Sequence, residues 1–243
     1  MQVAVLSDIH ANRHALEAVL ADVAATAARE IWCLGDVVGY GADPNDCVDL
    51  VRASAALCLA GNHDLGVTGE ISLDEFSPGA AMAARWTQDV IDPDRLDWLA
   101  ELQPRGSREE TAVFHGSPRD PVWEYVLSAL LADLCFDAFS ERIGLLGHSH
   151  VACSFTRPEG EPATGSSRRA DDVADVAAGR WLLNPGSVGQ PRDGDPRAAW
   201  LLLDLSAASA SWRRTTYDVD GAAAAIRAAR LPDSLAERLQ YGQ

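Results

Sequence analysis

Five short apolar runs end directly in residues of the types that hold metal ions, and this repetition limits the fold more than any other feature of the chain. The runs are "VLSDIH" with Asp8 and His10, "CLGD" with Asp36, "LAGNHD" with Asn62, His63 and Asp64, "VFHG" with His115, and "LLGHSH" with His148 and His150. A short apolar run bounded by glycine and polar turn residues reads as a buried strand. Five of the six histidines fall on these ends, and only His14 stands apart. A single histidine or Asp-x-His after a strand is ordinary turn chemistry, and Gly-Asn-His-Asp alone reads as a turn. Turn chemistry does not account for five such ends in one chain. In α/β sheets the residues just past the carboxyl ends of the strands meet at a common crevice. The pattern therefore predicts an α/β chain with a metal site at those ends.

The intervening segments agree. Asn12 can cap a helix in which Leu16, Val19, Leu20 and Val23 recur at core-facing spacing. A second helix is expected near 46–53, so strands and helices alternate and imply parallel pairing. Residues 65–110 read as mainly helical, an insertion or cap-like segment. The stretch 157–179 is rich in Gly, Pro and Ser and reads as a polar loop or a long hairpin connection. "AAWLLLDLS" and "ASWRRTTYDV" read as a closing antiparallel pair, followed by one or two helices within 221–239. No repeat or linker divides the chain, so one domain over 1–243 is expected. Trp86, Trp98 and Trp123 are assigned to the core.

Charge limits the partners. The 243 residues carry a net charge of −16, and all 20 basic residues are arginines. The densest basic spots, "SRR" and "WRR", are too short to track a nucleic-acid backbone. Nucleic acid is therefore disfavoured as a partner. No apolar run approaches the roughly 18 residues that span a bilayer, and the first methionine leads straight into a strand, so no membrane segment or signal peptide is expected. Five cysteines without a C-x-x-C pair imply reduced structural thiols and a cytoplasmic location. The oligomeric state stays open, a homo-oligomer included.

Imidazole, carboxylate and one carboxamide, without thiolate, suit Mn, Fe, Ni or Zn. Asp8, His10, Asp36, Asn62, His115, His148 and His150 are too many for one tetrahedral zinc, whose sites use three or four ligands. Two divalent ions about 3.5–4 Å apart, bridged by a carboxylate, are the natural arrangement, and such a pair clamps both oxygens of an in-line displacement at phosphorus. Residues i and i+2 of an extended segment point the same way, yet His148 and His150 are expected to serve different ions. Ser149 between them is expected to point away and to be replaceable.

Asp8-x-His10, Gly35-Asp36, Gly61-Asn62-His63-Asp64, His115 and Gly147-His148-x-His150 together resemble the full motif set of the calcineurin-like metallophosphoesterases. "SDIHANRHALEAVL", "GDVVGYGADPNDCV" and "NPGSVGQPRDGDPRAAW" are similar to the smaller bacterial and archaeal branch, with simple phosphodiesterases and diadenosine-polyphosphate hydrolases. The resemblance implies a four-layer α/β/β/α sandwich with two mixed sheets. It implies that Asp8, His10 and His150 hold one metal and Asn62, His115 and His148 the other, with Asp36 bridging. A metal-bridging hydroxide would be the nucleophile, and His63 would protonate the leaving oxygen or stabilise the transition-state charge. The protein Ser/Thr phosphatases of that family carry G-D-x-x-D-R-G, whereas "GDVVGYG" puts Gly39 and Tyr40 at the Asp and Arg positions. That argues against a phosphoprotein substrate and leaves the partner of His63 open, with the adjacent Asp64 a candidate. Asn12, Arg192 and Tyr40 are the substrate-side candidates. The implied function is hydrolysis of a small soluble phosphate ester, a phosphodiester or nucleoside polyphosphate before others. A phosphomonoesterase or nuclease on the same site, or a non-catalytic binding module on the same scaffold, are the alternatives.

Overall fold

Alternation along the first strand sets the layering. The computed structural model describes residues 1–243, and in β1 (Gln2–Leu6) successive side chains face opposite ways. Val3 and Val5 enter a core of 16 buried residues that also holds Val113, Leu145, Leu183 and Leu201 from other strands. Ala4 and Leu6 enter a separate core of 31 residues, shared with helices. A strand buried on both faces belongs to an inner layer, and β1 is such a strand.

Along the chain β1 is followed by β2 (Glu30–Cys33), β3 (Leu57–Cys58), β4 (Arg105–Arg108), β5 (Thr111–Phe114) and β6 (Ile143–Leu145). Then come β7 (Cys153–Arg157), β8 (Thr164–Ser167), β9 (Val173–Asp175), β10 (Arg180–Asn184), β11 (Ala198–Asp204) and β12 (Ser209–Thr215). They form two six-stranded sheets, in the orders β3-β2-β1-β11-β12-β9 and β4-β5-β6-β10-β7-β8. Both sheets are mixed: β1, β2 and β3 run parallel while β1 and β11 run antiparallel. In the second sheet β5, β6 and β10 run parallel and β7 pairs with β10 antiparallel. The strand–helix alternation and the β11–β12 pair are as the sequence predicts.

The first sheet is covered by α1 (Arg13–Ala24), α2 (Pro44–Ser54) and, from the far end of the chain, α7 (Val219–Ala228) and α8 (Asp233–Glu237). Leu16, Val19 and Val23 form the buried stripe of α1, each worth about 1.5–3 kcal/mol of burial. Three more helices, α3 (Asn62–Thr68), α4 (Pro78–Val90) and α5 (Pro93–Ala100), extend this layer. The second sheet is covered by α6 (Ala129–Phe136) alone, through Ala132, Cys135 and Phe136 against Phe155 and Leu182. The architecture is therefore the α/β/β/α sandwich. No helix is long and apolar enough to cross a membrane.

Two segments differ from their sequence reading. The helical stretch assigned to 65–110 stops at Ala100, and Arg105–Arg108 is an edge strand turned back onto β5 at Glu109 and Glu110, both left-handed. The 157–179 stretch carries β8, paired with β7, and β9, which joins the edge of the first sheet. Every residue of β8 is exposed, so no apolar alternation marked it.

Candidate metal centre

The strand ends converge as predicted. Asp8, His10, Asp36, His63, His115, His148 and His150 are all buried, although none lies inside a strand. His63 lies in the first turn of α3, and the others are carried by the turns that follow the strands. Asp8, His10, Asp36, His148 and His150 have φ between 51 and 61°, and Ala11 and Tyr40 join them in the left-handed region. Such conformations are uncommon for residues with a Cβ and collect at sites that the surrounding structure holds in place. Gly147 permits the last approach, because a Cβ there would fall 2.0 Å from Ser7 Oγ and 3.0 Å from Asp8 Oδ2.

Each imidazole is fixed through its outer nitrogen. His10 Nδ1 donates to the Val38 carbonyl (3.2 Å), His115 Nδ1 to Leu34 (2.9 Å) and His150 Nδ1 to Gln190 (2.6 Å). A carbonyl only accepts, so these hydrogens sit on Nδ1 and each Nε2 turns its lone pair inward. His148 is reversed: Nε2 donates to the Trp123 carbonyl (3.3 Å), leaving Nδ1 free. The inward atoms form two groups, Asp8, His10, Asp36 and His150, and Asp36, His115 and His148, with Asp36 in both. Its Oδ2 lies 3.5 Å from His10 Nε2 and 3.5 Å from His115 Nε2. Asp8 Oδ1 lies 3.3 Å from His150 Nε2. Asn62 Oδ1 lies 3.2 Å from His115 Nε2, which places the carboxamide with the second group.

These residues fit divalent ions. Asp8 Oδ1 and Asp36 Oδ2 are buried without a hydrogen-bond partner, and an orphaned buried carboxylate oxygen is costly. The Nε2 lone pairs of His10 and His150 face one another at 3.0 Å. Burial, with the Asp64 charge next, pushes Asp36 well above the carboxylate range, and burial raises Asp8 to about 7. Burial holds His10, His148 and His150 well below the imidazole range, aided by His150, His115 and Arg192 respectively. Cations placed among these atoms relieve each of these costs at once.

His63 stands beside the two groups. Its Nδ1 has no partner, and its ring is held by packing: Tyr40 at 4.3 Å, His10 at 4.8 Å and Phe76 at 5.1 Å between centroids. Burial, then the charges of Arg192 and His115, bring it down to about 3. Asp64 does not orient it. The Asp64 carboxylate accepts from the backbone N–H groups of Val37 (3.2 Å), Val38 (3.0 Å) and Gly61 (2.9 Å), tying the Asp36 turn to the start of α3. Asp64, the candidate partner of His63, serves main chain in this structure.

Asn12 caps α1 as the sequence predicts: Oδ1 accepts from Ala15 N (3.1 Å), and Nδ2 donates to the Gly189 carbonyl (2.9 Å). Ser149 packs toward Asn184. It is buried and its Oγ accepts from Asn184 Nδ2 (3.0 Å). Tyr40 and Arg192 both line a cavity of about 300 Å³ above the two groups, with the Arg192 guanidinium 3.4 Å from the Tyr40 hydroxyl. Phe76, Trp123, Tyr125 and Arg238 line the same cavity. Trp123 was read as core, and Arg238 carries no local signal, because only the return of the C-terminal helices brings it here.

Two buried carboxylates and four imidazoles, arranged in two groups that share one oxygen beneath an open cavity, are the arrangement of a metallohydrolase. The sequence matches the calcineurin-like phosphoesterase superfamily domain over residues 1–208, and the chain belongs to that family of phosphoesterase hydrolases. A metallophosphoesterase from Sphaerobacter thermophilus is 42% identical and superposes with a TM-score of 0.90 over 100% of this chain and 99% of that one. An uncharacterised protein of Methanocaldococcus jannaschii is 38% identical over 99% of this chain and 98% of its own length. A hypothetical protein from Pyrococcus horikoshii shares the fold at 18% identity, with a TM-score of 0.80 over 100% and 98% of the two chains.

Proposed function

We propose that the whole chain acts as one domain that hydrolyses a small phosphate ester, a phosphodiester or nucleoside polyphosphate in preference to a phosphoprotein, with two divalent ions bound. Asp8, His10 and His150 would hold one ion and Asn62, His115 and His148 the other, with Asp36 shared. The observation that carries this reading is Asp36 Oδ2, buried, unpartnered and 3.5 Å from an inward-facing nitrogen of each group. When bound, the ions supply Lewis-acid stabilisation of the phosphoryl oxygens and activation of water. Hydrolysis joins a water oxygen to phosphorus while the P–O bond to the leaving group breaks, and the leaving oxygen accepts a proton.

His63 is the residue positioned for that leaving oxygen. Burial keeps its ring neutral, so its role is to donate one N–H hydrogen bond to the charge that develops there. Tyr40 and Phe76 pack against its faces and edge and limit its rotation. The absence of an Asp-Arg pair after Asp36 supports a small substrate, and Arg192 supplies the cation on the substrate side. The five thiols, none in a disulfide and four buried, support a cytoplasmic setting.

The test is turnover of bis-p-nitrophenyl phosphate and p-nitrophenyl phosphate by protein loaded with Mn, Fe, Ni, Co or Zn. Hydrolysis is expected, and no turnover with any of these metals refutes the enzymatic reading in favour of a binding module. Single-stranded DNA in the same assay tests the nuclease alternative, which the net charge of −16 opposes. His63→Ala is expected to keep its metal and to lose most activity, and loss of metal would make it a ligand instead.

A further inference from the structure

Among the four imidazoles of the two groups, His148 alone leans on half-buried main chain. Val38, Leu34 and Gln190, which accept from His10, His115 and His150, are all buried. His148 donates across 3.3 Å to the carbonyl of Trp123, in a half-buried loop between β5 and α6. That bond decides which nitrogen of His148 faces inward, because a carbonyl accepts only a proton carried on Nε2. The plane of the ring has a second determinant. Tyr125 lies nearly parallel to it, with 9° between the planes and 4.1 Å between the centroids.

Tyr125 is 45% exposed, so it has little part in the core. The loop that carries it is nonetheless built to one conformation. Ser117 is fully buried, and its Oγ donates to Glu124 (2.5 Å) while accepting from Arg119 N (3.1 Å) and Asp120 N (3.0 Å). Asp120 Oδ1 accepts from Val122 N and Trp123 N, at 3.0 Å each, which fixes the main chain next to the Trp123 carbonyl. Gly116 N and Ser117 N donate to the Pro121 and Asp120 carbonyls (2.8 and 2.9 Å). On either side, the Trp123 ring meets Phe76 at 5.3 Å and Val126 enters the core beneath α6. What this loop presents to the metal centre is one carbonyl and one ring, both on His148. Neither Trp123 nor Tyr125 has a hydrogen bond or ring contact with Asp8, His10 or His150. An imidazole that gives its lone pair to a cation becomes electron-poor, and the face of a phenol ring attracts such a ring more strongly than a neutral one. The stack therefore contributes more to ion binding than to folding.

Resting on the two-ion reading above, we propose that Trp123 and Tyr125 are positioning residues for His148. The Trp123 carbonyl selects its tautomer and the Tyr125 ring holds its plane. Together they set the affinity of the Asn62, His115 and His148 group for its ion, while the Asp8, His10 and His150 group is independent of them. Asp120 acts at one remove, by holding the Trp123 main chain.

The test reads metal affinity, not activity alone. EDTA-treated protein is titrated with Mn²⁺ by calorimetry, and native mass spectrometry counts the ions bound. Loss of a residue that orients a metal-binding histidine costs about 10–100-fold in affinity. Y125A is accordingly expected to weaken one of the two binding steps by about tenfold or more and to leave the other nearly unchanged. Y125F keeps the ring and is expected to recover most of the loss, and D120A to weaken the same step as Y125A. Nitrogen NMR of the metal-free chain is expected to show His148 protonated on Nε2, and a mixture of tautomers in D120A. The metal-free Tm of Y125A should stay within about 2 °C of native, as for a surface substitution. With metal restored, more Mn²⁺ is expected to be needed for half-maximal turnover of bis-p-nitrophenyl phosphate by Y125A, with most of kcat regained at saturation. Equal loss at both steps, no loss, or a loss that Y125F leaves in place overturns the proposal. A large fall in the metal-free Tm overturns it as well, by making Tyr125 a folding residue. Failure of the earlier reading is a separate result, namely fewer than two ions bound, or no ester turned over, by the native chain.

Discussion

Gly39→Ala tests how the fold aims His63, because no carboxylate does so. A Cβ at Gly39 would lie 2.4 Å from His63 Nδ1, 2.9 Å from Cγ and 3.0 Å from its Cβ. Non-bonded heavy atoms settle at about 3.5–4.0 Å, so the ring must move by about 1 Å. It cannot move freely, since Tyr40, His10 and Phe76 surround it. Gly39 also has φ +88°, and alanine held in the left-handed region costs about 1–2 kcal/mol. Overpacking adds about 1–3 kcal/mol. In a chain of this length each kcal/mol lowers Tm by about 2–4 °C, so a fall of roughly 5–15 °C is expected. Displacement of a reacting group by about 1 Å costs on the order of 100-fold in rate. The assay pairs kcat on bis-p-nitrophenyl phosphate with Tm and with metal content by mass spectrometry. Lowered kcat with full metal content is the expected outcome. An unchanged kcat would refute the packing account of His63, and loss of metal would show that Gly39 acts through the ligands instead.

Three further outcomes follow from the geometry. Asp64→Ala removes the acceptor of three buried N–H groups, each worth about 1–3 kcal/mol when orphaned; urea denaturation is expected to reveal a loss of at least about 3 kcal/mol, and a loss confined to activity would return Asp64 to catalysis. Metal at about 100 times its Kd should stabilise the native chain by about 2.7 kcal/mol, and Asp36→Asn should remove most of the accompanying rise in Tm, whereas an undiminished rise would show that Asp36 is not a ligand. Glu30 on β2 receives Arg108 Nε (2.7 Å) and Nη2 (2.8 Å) from β4, tying the first sheet to the edge strand of the second. Arg108, then Trp32, holds Glu30 down to about 2 from 4.5, so its contribution is present above 4.5 and is lost as pH falls toward 2; the Tm deficit of Glu30→Gln should therefore narrow across that interval, and a constant deficit would refute it.

The site was legible in the sequence to the extent that chemistry coincided with periodicity. Asp8, Asp36, His115 and His148 follow apolar runs buried on both faces, and such runs are visible without a structure. The role of Asp64 was not legible, because a carboxylate adjacent to a candidate acid in sequence can turn to either side of a helix start. In the fold it turns to the Val37 and Val38 amides, 27 and 26 residues away. The buried partner of Ser149 was not legible for a related reason. The i, i+2 rule held its neighbours together, but the left-handed turns at His148 and His150 replace strand geometry there and bury the serine. β4 and β8 escaped notice because mostly exposed edge strands carry no apolar alternation. Arg238 could not be found at all, since nothing local distinguishes it from the other 19 arginines.

The same turns explain why the ligands are held before any ion arrives. Seven of the twelve non-glycine residues with positive φ are Asp8, His10, Ala11, Asp36, Tyr40, His148 and His150. Strain at this density persists only where rigid elements fix both ends of each turn, and here the turns leave strands packed in the two inner layers. Main-chain hydrogen bonds complete the frame: Asp8 N to Gly35 (3.0 Å), His10 N to Asp36 (2.9 Å) and Gly147 N to His115 (2.8 Å) link one strand end to the next. A frame built this way cannot relax to pair Asp8 Oδ1 or Asp36 Oδ2 with a protein donor, so these oxygens remain directed at the cavity. The metal-free chain accordingly carries strain and orphaned buried oxygens together, and an ion would relieve only the second. The strain stays in the loaded protein as the cost of a fixed geometry. Variants that relax a single turn, such as His148→Gly, should therefore loosen ion binding by more than the lost imidazole alone explains, with His148→Ala as the reference.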